Sequence, residues 1–138
     1  MATLKRTEKD KAEKVTEKNK ELFDAMKNAL GNNVSRVVVA TTATDSPVRL
    51  IAEGPISFDM ERTMAQMPNA DQAPKATRVL EINPKHKVFK TLQKAHEEGD
   101  TKKVKLYSSV LYDQALLIEN LPIEDPVEYA KNIAKLMI

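Results

Sequence analysis

The sequence predicts an α+β fold: a small three-stranded sheet with helices on one side and an apolar helical pair at the C-terminal end. Three observations carry that prediction. Short runs rich in β-branched or apolar residues occur at Val34–Thr41, Val48–Ala52 and Arg78–Ile82. Longer stretches repeat apolar residues every three or four positions, the period of a helix. The order is helix, two strands, short helix, strand and three helices, with no internal repeat.

The first helix is expected to run to about residue 30. From Val15 on, Leu22, Met26 and Ala29 or Leu30 make a stripe, with Phe23 beside Leu22. Gly31 then stands where a left-handed cap ends a helix. Upstream, residues 5–20 mostly alternate Lys and Glu, a pattern that is helical only with outside support. The first two strands, joined through Asp45-Ser46-Pro47, read as an antiparallel hairpin. Gly54-Pro55 breaks the second strand, and Ser57 can cap a short helix reaching about Met67, which Pro68 terminates. A polar loop, Pro68–Lys75, leads to the third strand. Asn83-Pro84 reads as the cap and first position of a helix carrying Val88, Leu92 and Ala95, which stops at Gly99.

Asp100 or Thr101 opens the next helix. Val104, Tyr107, Leu111, Ala115 and Ile118 share one of its faces, while Leu106, Val110 and Leu117 share another. Charge is confined to a strip through Lys105, Asp113 and Glu119. A helix apolar over most of its girth must be covered on two sides. Pro122 interrupts the pattern. Asp125 then caps a last helix, with Pro126 at its first position and Glu128 as a capping-box acid. Its apolar set is Val127, Ala130, Ile133, Ala134 and Met137, with Tyr129 and Leu136 alongside. Two readings stay open on pattern alone. The pair belongs to an internal core, or it is completed by a partner's matching pair.

Composition narrows the function. The 138 residues are 41% hydrophobic, enough for one domain with an aliphatic core, with six aromatics and no tryptophan. The absence of cysteine fits a reducing compartment and removes thiol chemistry. No apolar run is long enough for a bilayer, so no membrane partner is expected. The N-terminal segment lacks the apolar centre of a signal peptide, and a cytoplasmic setting is expected. The net charge of +2 lies wholly in residues 1–30, with eight Lys/Arg against six Asp/Glu; the remainder is neutral.

The search for catalytic groups is nearly empty. Gly31, Gly54 and Gly99 lie too far apart for a phosphate-binding loop. His86 and His96 miss the spacing of a helical metal pair and read as surface residues. Asp113 and Glu119 fall on different sides of their helix, so no carboxylate pair emerges. No catalytic residue, metal ligand or cofactor is expected here.

One constellation stands apart. Met60, Met64 and Met67 follow a helical spacing on the short helix, with Asp59, Glu61, Arg62, Thr63 and Gln66 opposite. Methionine adapts to varied apolar surfaces, so an exposed face of this kind suits many weak partners. Pattern alone favours the plainer reading, a helix packed on the sheet.

The C-terminal stretch LYDQALLIENLPIEDPVEYAKNIAKLM resembles the end of the heat-shock protein 90 chaperone family, most closely its bacterial branch. Supporting pieces lie in the expected order: Thr44-Asp45-Ser46-Pro47, Ile82-Asn83-Pro84-Lys85-His86, Asp113-Gln114-Ala115-Leu116-Leu117 and Glu124-Asp125-Pro126. The resemblance implies that residues 19–138 are the C-terminal dimerisation domain of a larger ATP-driven chaperone. Residues 1–18 would be the charged linker or helix approaching from the preceding domain. ATP would bind outside this chain. The closing helices would pair with their copies as a dimeric four-helix bundle, through Tyr107, Val110, Leu111, Gln114, Ala115, Ile118, Tyr129, Ala130, Ile133 and Met137. The short helix would offer Phe58, Met60, Met64 and Met67 to unfolded client protein. Eukaryotic cytosolic members carry an acidic tail that docks co-chaperones. The terminal Lys135-Leu136-Met137-Ile138 does not match it, so that docking is not expected. The alternative is a small nucleic-acid-binding protein using the Lys-rich N-terminal segment. The interleaved acids, the neutral body and the lack of aromatics near the basic stretch weigh against nucleic acid as a partner.

Overall fold

The computed structural model describes residues 14–40, 46–68 and 75–137. Most of the charged N-terminal segment, the centre of the first interstrand link and most of the polar loop after Met67 therefore lie outside the described residues. Residues 14–18 are helical and lead through Asn19 into α1 (Lys20–Leu30). A 3₁₀ turn (Gly31–Asn33) follows, with Gly31 at φ 60°. Next come β1 (Arg36–Val39), β2 (Val48–Glu53), α2 (Phe58–Ala65), β3 (Thr77–Ile82), α3 (Lys87–Glu97), α4 (Thr101–Ile118) and α5 (Pro126–Leu136).

The architecture is α+β with a three-stranded mixed sheet, and its strand order corrects the hairpin expectation. β3 lies between the other two, parallel to β1 and antiparallel to β2. Burial explains the placement. Arg78 through Ile82 are all buried, so β3 is covered on both faces and both edges and suits the centre. β1 and β2 become edge strands, and the link between them is long enough to step over one strand.

One sheet face carries Val37, Val39, Val48, Leu50, Leu80 and Ile82 into a single core with Leu22, Met26, Phe89, Leu92, Val104 and Ala115 of the helices. Phe23 and Phe89 meet edge to face, with ring centroids 6.1 Å apart. The other sheet face mixes apolar and charged groups: beside Val79 and Ile51, Arg49 Nε donates to Glu81 at 2.8 Å, and Arg36 meets Glu53 at 3.1 Å.

The capping chemistry follows the sequence at three of the four helix starts where a cap is expected. Ser57 accepts from the Met60 N–H, Asp100 from Lys103 and Asp125 from Glu128. The exception is α3. Its cap is His86, whose Nδ1 accepts from the Val88 N–H at 3.2 Å, rather than Asn83. Asn83 is buried and closes a turn of its own, its Oδ1 accepting from Lys85 N–H at 3.0 Å.

Candidate functional site: two exposed apolar surfaces

The closing helices divide their apolar residues between inside and outside. α4 turns Val104, Ser108, Leu111, Tyr112, Ala115 and Leu116 inward. Ser108 is fully buried and tolerable there because its Oγ donates to the Val104 carbonyl at 2.7 Å. Leu111 and Ala115, expected at an interface, thus belong to the chain's own core: they lie on the face that meets the sheet and the first helices. Val110 is buried as well, while Tyr107 and Gln114 are half-buried. Ile118 is 51% exposed, and so is Leu117.

α5 rests on α4 through a face containing Tyr129, Asn132, Ile133 and Leu136, all buried or half-buried. Its opposite face carries Val127, Ala130, Ala134 and Met137, one helical stripe, all exposed. Val127 is 65% and Met137 79% exposed. The expected interface set therefore separates. Ile118, Ala130 and Met137 are open, Tyr107, Gln114, Tyr129 and Ile133 are half-covered, and Val110, Leu111 and Ala115 are inside. Leu117, Val127 and Ala134 join the open set although the sequence reading did not select them. The signal was in their apolar spacing. What it lacked was which face packs within the chain itself.

α4 ends in a Schellman motif. The Leu121 N–H reaches the Leu116 carbonyl at 2.8 Å, the Asn120 N–H reaches Leu117 at 3.1 Å, and Asn120 sits at φ 57°. Beside this turn Asp113 is half-buried, and its carboxyl is raised from 3.8 to about 6. Burial is the main cause, and the charges of Glu124 and Asp125 push the same way.

The second surface is on α2. Met60 and Met67 are 48% and 54% exposed, and Met64 is half-buried. A helix packed on the sheet through its methionines is thereby excluded. Phe58 faces the other way and is buried in the core, with the Arg78 guanidinium 5.9 Å from its ring centroid. Glu61 corrects the expectation of a solvated side opposite the methionines. It is buried, accepts from Arg78 at 2.8 Å and from the Ala76 N–H at 2.8 Å, and so ties α2 to the start of β3. The clue lay in the spacing: Glu61 is three residues after Phe58, on the Phe58 face.

Among the described residues no group of His, Cys, Asp or Glu could hold a metal ion, and no helix is long and apolar enough to cross a membrane. Three open clefts, of about 400 to 520 Å³, lie elsewhere; the most apolar is between α1 and the α3–α4 corner.

A family profile described as Hsp90 protein matches residues 2–138. The chain is 47% identical over 131 residues to "Chaperone protein HtpG" of Shouchella clausii, covering 95% of this chain and 21% of that protein. It is 46% identical over 127 residues to the protein of the same name in Bacillus subtilis, covering 92% and 20%. Against that of Clostridium botulinum strain 657 it is 51% identical over 120 residues, covering 87% and 19%. The chain thus spans about a fifth of the length of these relatives.

Proposed function

This chain belongs to the Hsp90 protein family, and from that premise we propose that it is the homodimerisation module of an ATP-dependent cytoplasmic chaperone and offers a methionine surface to unfolded client protein. The observation that carries the first half is the double-sided character of α5. One face is used by its own protomer, and the stripe Val127, Ala130, Ala134 and Met137 is left uncovered. Leu117 and Ile118 continue that surface at the end of α4. A second copy supplies matching helices, and an isologous contact would bury each stripe against its equivalent, closing a four-helix bundle. On this reading ATP binds in the parts of the longer protein that this chain does not span, and the work of this part is association and client contact.

The second half is supported by the exposure of Met60 and Met67 on a helix whose anchoring is done by Phe58 and Glu61. Flexible, polarizable side chains on a held helix present an adaptable apolar face. Phe58 serves that face as its anchor from within the core. Light scattering tests the association directly. The chain is expected to be a dimer at micromolar concentration, and a strict monomer there would overturn the module.

A further inference from the structure

The short helix α2 has little apolar attachment beyond Phe58, and its hold on the rest of the protein is largely polar. On one side Glu61 binds Arg78 and the Ala76 N–H. On the other, Arg62 reaches across to the end of α4, fifty-seven residues away in sequence. Its Nη1 donates to the main-chain carbonyl of Glu119, while Nη2 pairs with the Asp59 carboxylate of its own helix.

The receiving end explains why an arginine stands there. The Schellman bonds already take the carbonyls of Leu116 and Leu117. The Glu119 carbonyl is a different one, at the negative end of an eighteen-residue helix. A cation is favoured at that end. A guanidinium also has two donor edges in fixed geometry, so it can hold a carboxylate and a carbonyl together; a lysine has a single nitrogen for both. The residues just before Glu119 are Leu117 and Ile118, part of the surface assigned above to self-association.

We propose that Arg62 is a positioning residue that fastens the methionine helix to the end of α4, so that occupancy of the methionine face and self-association through the closing helices are energetically coupled. This rests on the reading of those two surfaces given under Proposed function. Because coupling between binding equilibria is reciprocal, unfolded protein changes the dimer dissociation constant, for each methionine face it occupies, by the factor that dimerisation changes its own binding.

The test uses the full chain, Arg62→Met, which keeps an unbranched apolar stem and removes the guanidinium donors, and Arg62→Lys, which keeps the charge and one point of contact. Circular dichroism is expected to show both variants folded. Amide hydrogen exchange across residues 61–67 is expected to speed up roughly tenfold in Arg62→Met, the size of one charge-assisted hydrogen bond, and to be partly restored in Arg62→Lys. Sedimentation equilibrium then gives the dimer dissociation constant with and without saturating reduced, carboxymethylated α-lactalbumin as the unfolded probe. The wild-type constant is expected to shift by about fivefold or more, and the Arg62→Met constant to stay put. Unchanged exchange in Arg62→Met, or an undiminished probe-induced shift in it, would overturn the proposal. A wild-type chain that neither dimerises nor binds the probe would instead sink the reading beneath it and the coupling with it, while the exchange measurement still decides whether Arg62 is the tether.

Discussion

Val127→Glu separates association from folding. Val127 is the second residue of α5 and 65% exposed in the protomer. A glutamate there gains a favourable place in the first turn and a partner four residues on in Lys131, against the nearby charges of Asp125 and Glu128. The net effect on folding should stay within about 0.5 kcal/mol. In the proposed dimer the same change would remove a valine from cover. Burying a whole valine side chain is worth about 1.5–3 kcal/mol, so burying its open two-thirds is worth roughly 1–2 kcal/mol by the same coefficient. Two-fold symmetry counts the loss twice, giving about 2–4 kcal/mol and a dissociation constant some thirty- to a thousand-fold weaker. Desolvating the new carboxylate adds to this. Sedimentation equilibrium measures the constant, and thermal melting monitored by circular dichroism measures the fold. The companion change Leu111→Glu should behave oppositely. Leu111 is 3% exposed, and loss of such a leucine alone costs about 2–5 kcal/mol before any charge is buried. That chain is expected to unfold. An undisturbed dimer in Val127→Glu, or a folded monomer in Leu111→Glu, would refute the division of the closing helices into inner and outer faces.

Three further outcomes are expected. Glu61→Gln leaves the Arg78 charge buried opposite a neutral amide, and should cost about 3 kcal/mol or more and lower the melting temperature by roughly 10 °C; a shift of a degree or two would show the pair to be dispensable. Asp113 has a folded-state value near 6, above its ordinary 3.8, so its contribution to stability is fully present below about pH 4 and is lost as pH rises through 6. Asp113→Asn should therefore stabilise the chain at pH 7.5, by about 1 kcal/mol after allowing for solvent screening of a half-exposed group, and make no difference at pH 3.5; equal melting shifts at both pH values would contradict this. Met60→Ser combined with Met67→Ser should weaken binding of reduced, carboxymethylated α-lactalbumin by about thirtyfold, each residue contributing on the order of 1 kcal/mol of buried apolar surface, with little change in melting temperature; a large melting loss would return those methionines to the core.

Where the sequence was legible, the determining interactions were local. Caps at Ser57, Asp100 and Asp125 need only the few residues that follow them, and each formed. The apolar stripe of α1 likewise found the sheet, with Leu22, Met26 and Leu30 inside. Strand order was not legible, because β3 reaches its central place through pairing across long separations that neither strand pattern encodes. For the methionine helix, periodicity alone favoured the packed reading for a related reason, while the family resemblance implied an exposed face. Its hydrophobic pattern is sharper on the Met60 side, yet a single Phe58 and the buried pair of Glu61 with Arg78 decided which side faces in. In the closing helices the apolar residues were recognisable, but their division between core and surface depends on where the sheet and α1 lie.

That division has a consequence for α5 itself. An isolated helix of eleven residues is marginal in water, because nucleation is costly and few hydrogen bonds follow. α5 has a good start, with Asp125 capping and Pro126 at its first position. Packing within its own chain is thin: it meets α4 along one face, and Asn132 is its one buried residue among those described. The apolar stripe on its far side is then uncovered at the place where the helix most needs support. Covering that stripe with a second copy would add packing, so association should reinforce a helix that already folds against α4 in the single chain. Its amide protection should rise with protein concentration, as mass action requires of any element stabilised by a partner, while protection in β3 stays constant. Concentration-independent exchange in α5 would mean that the helix is held by its own protomer alone.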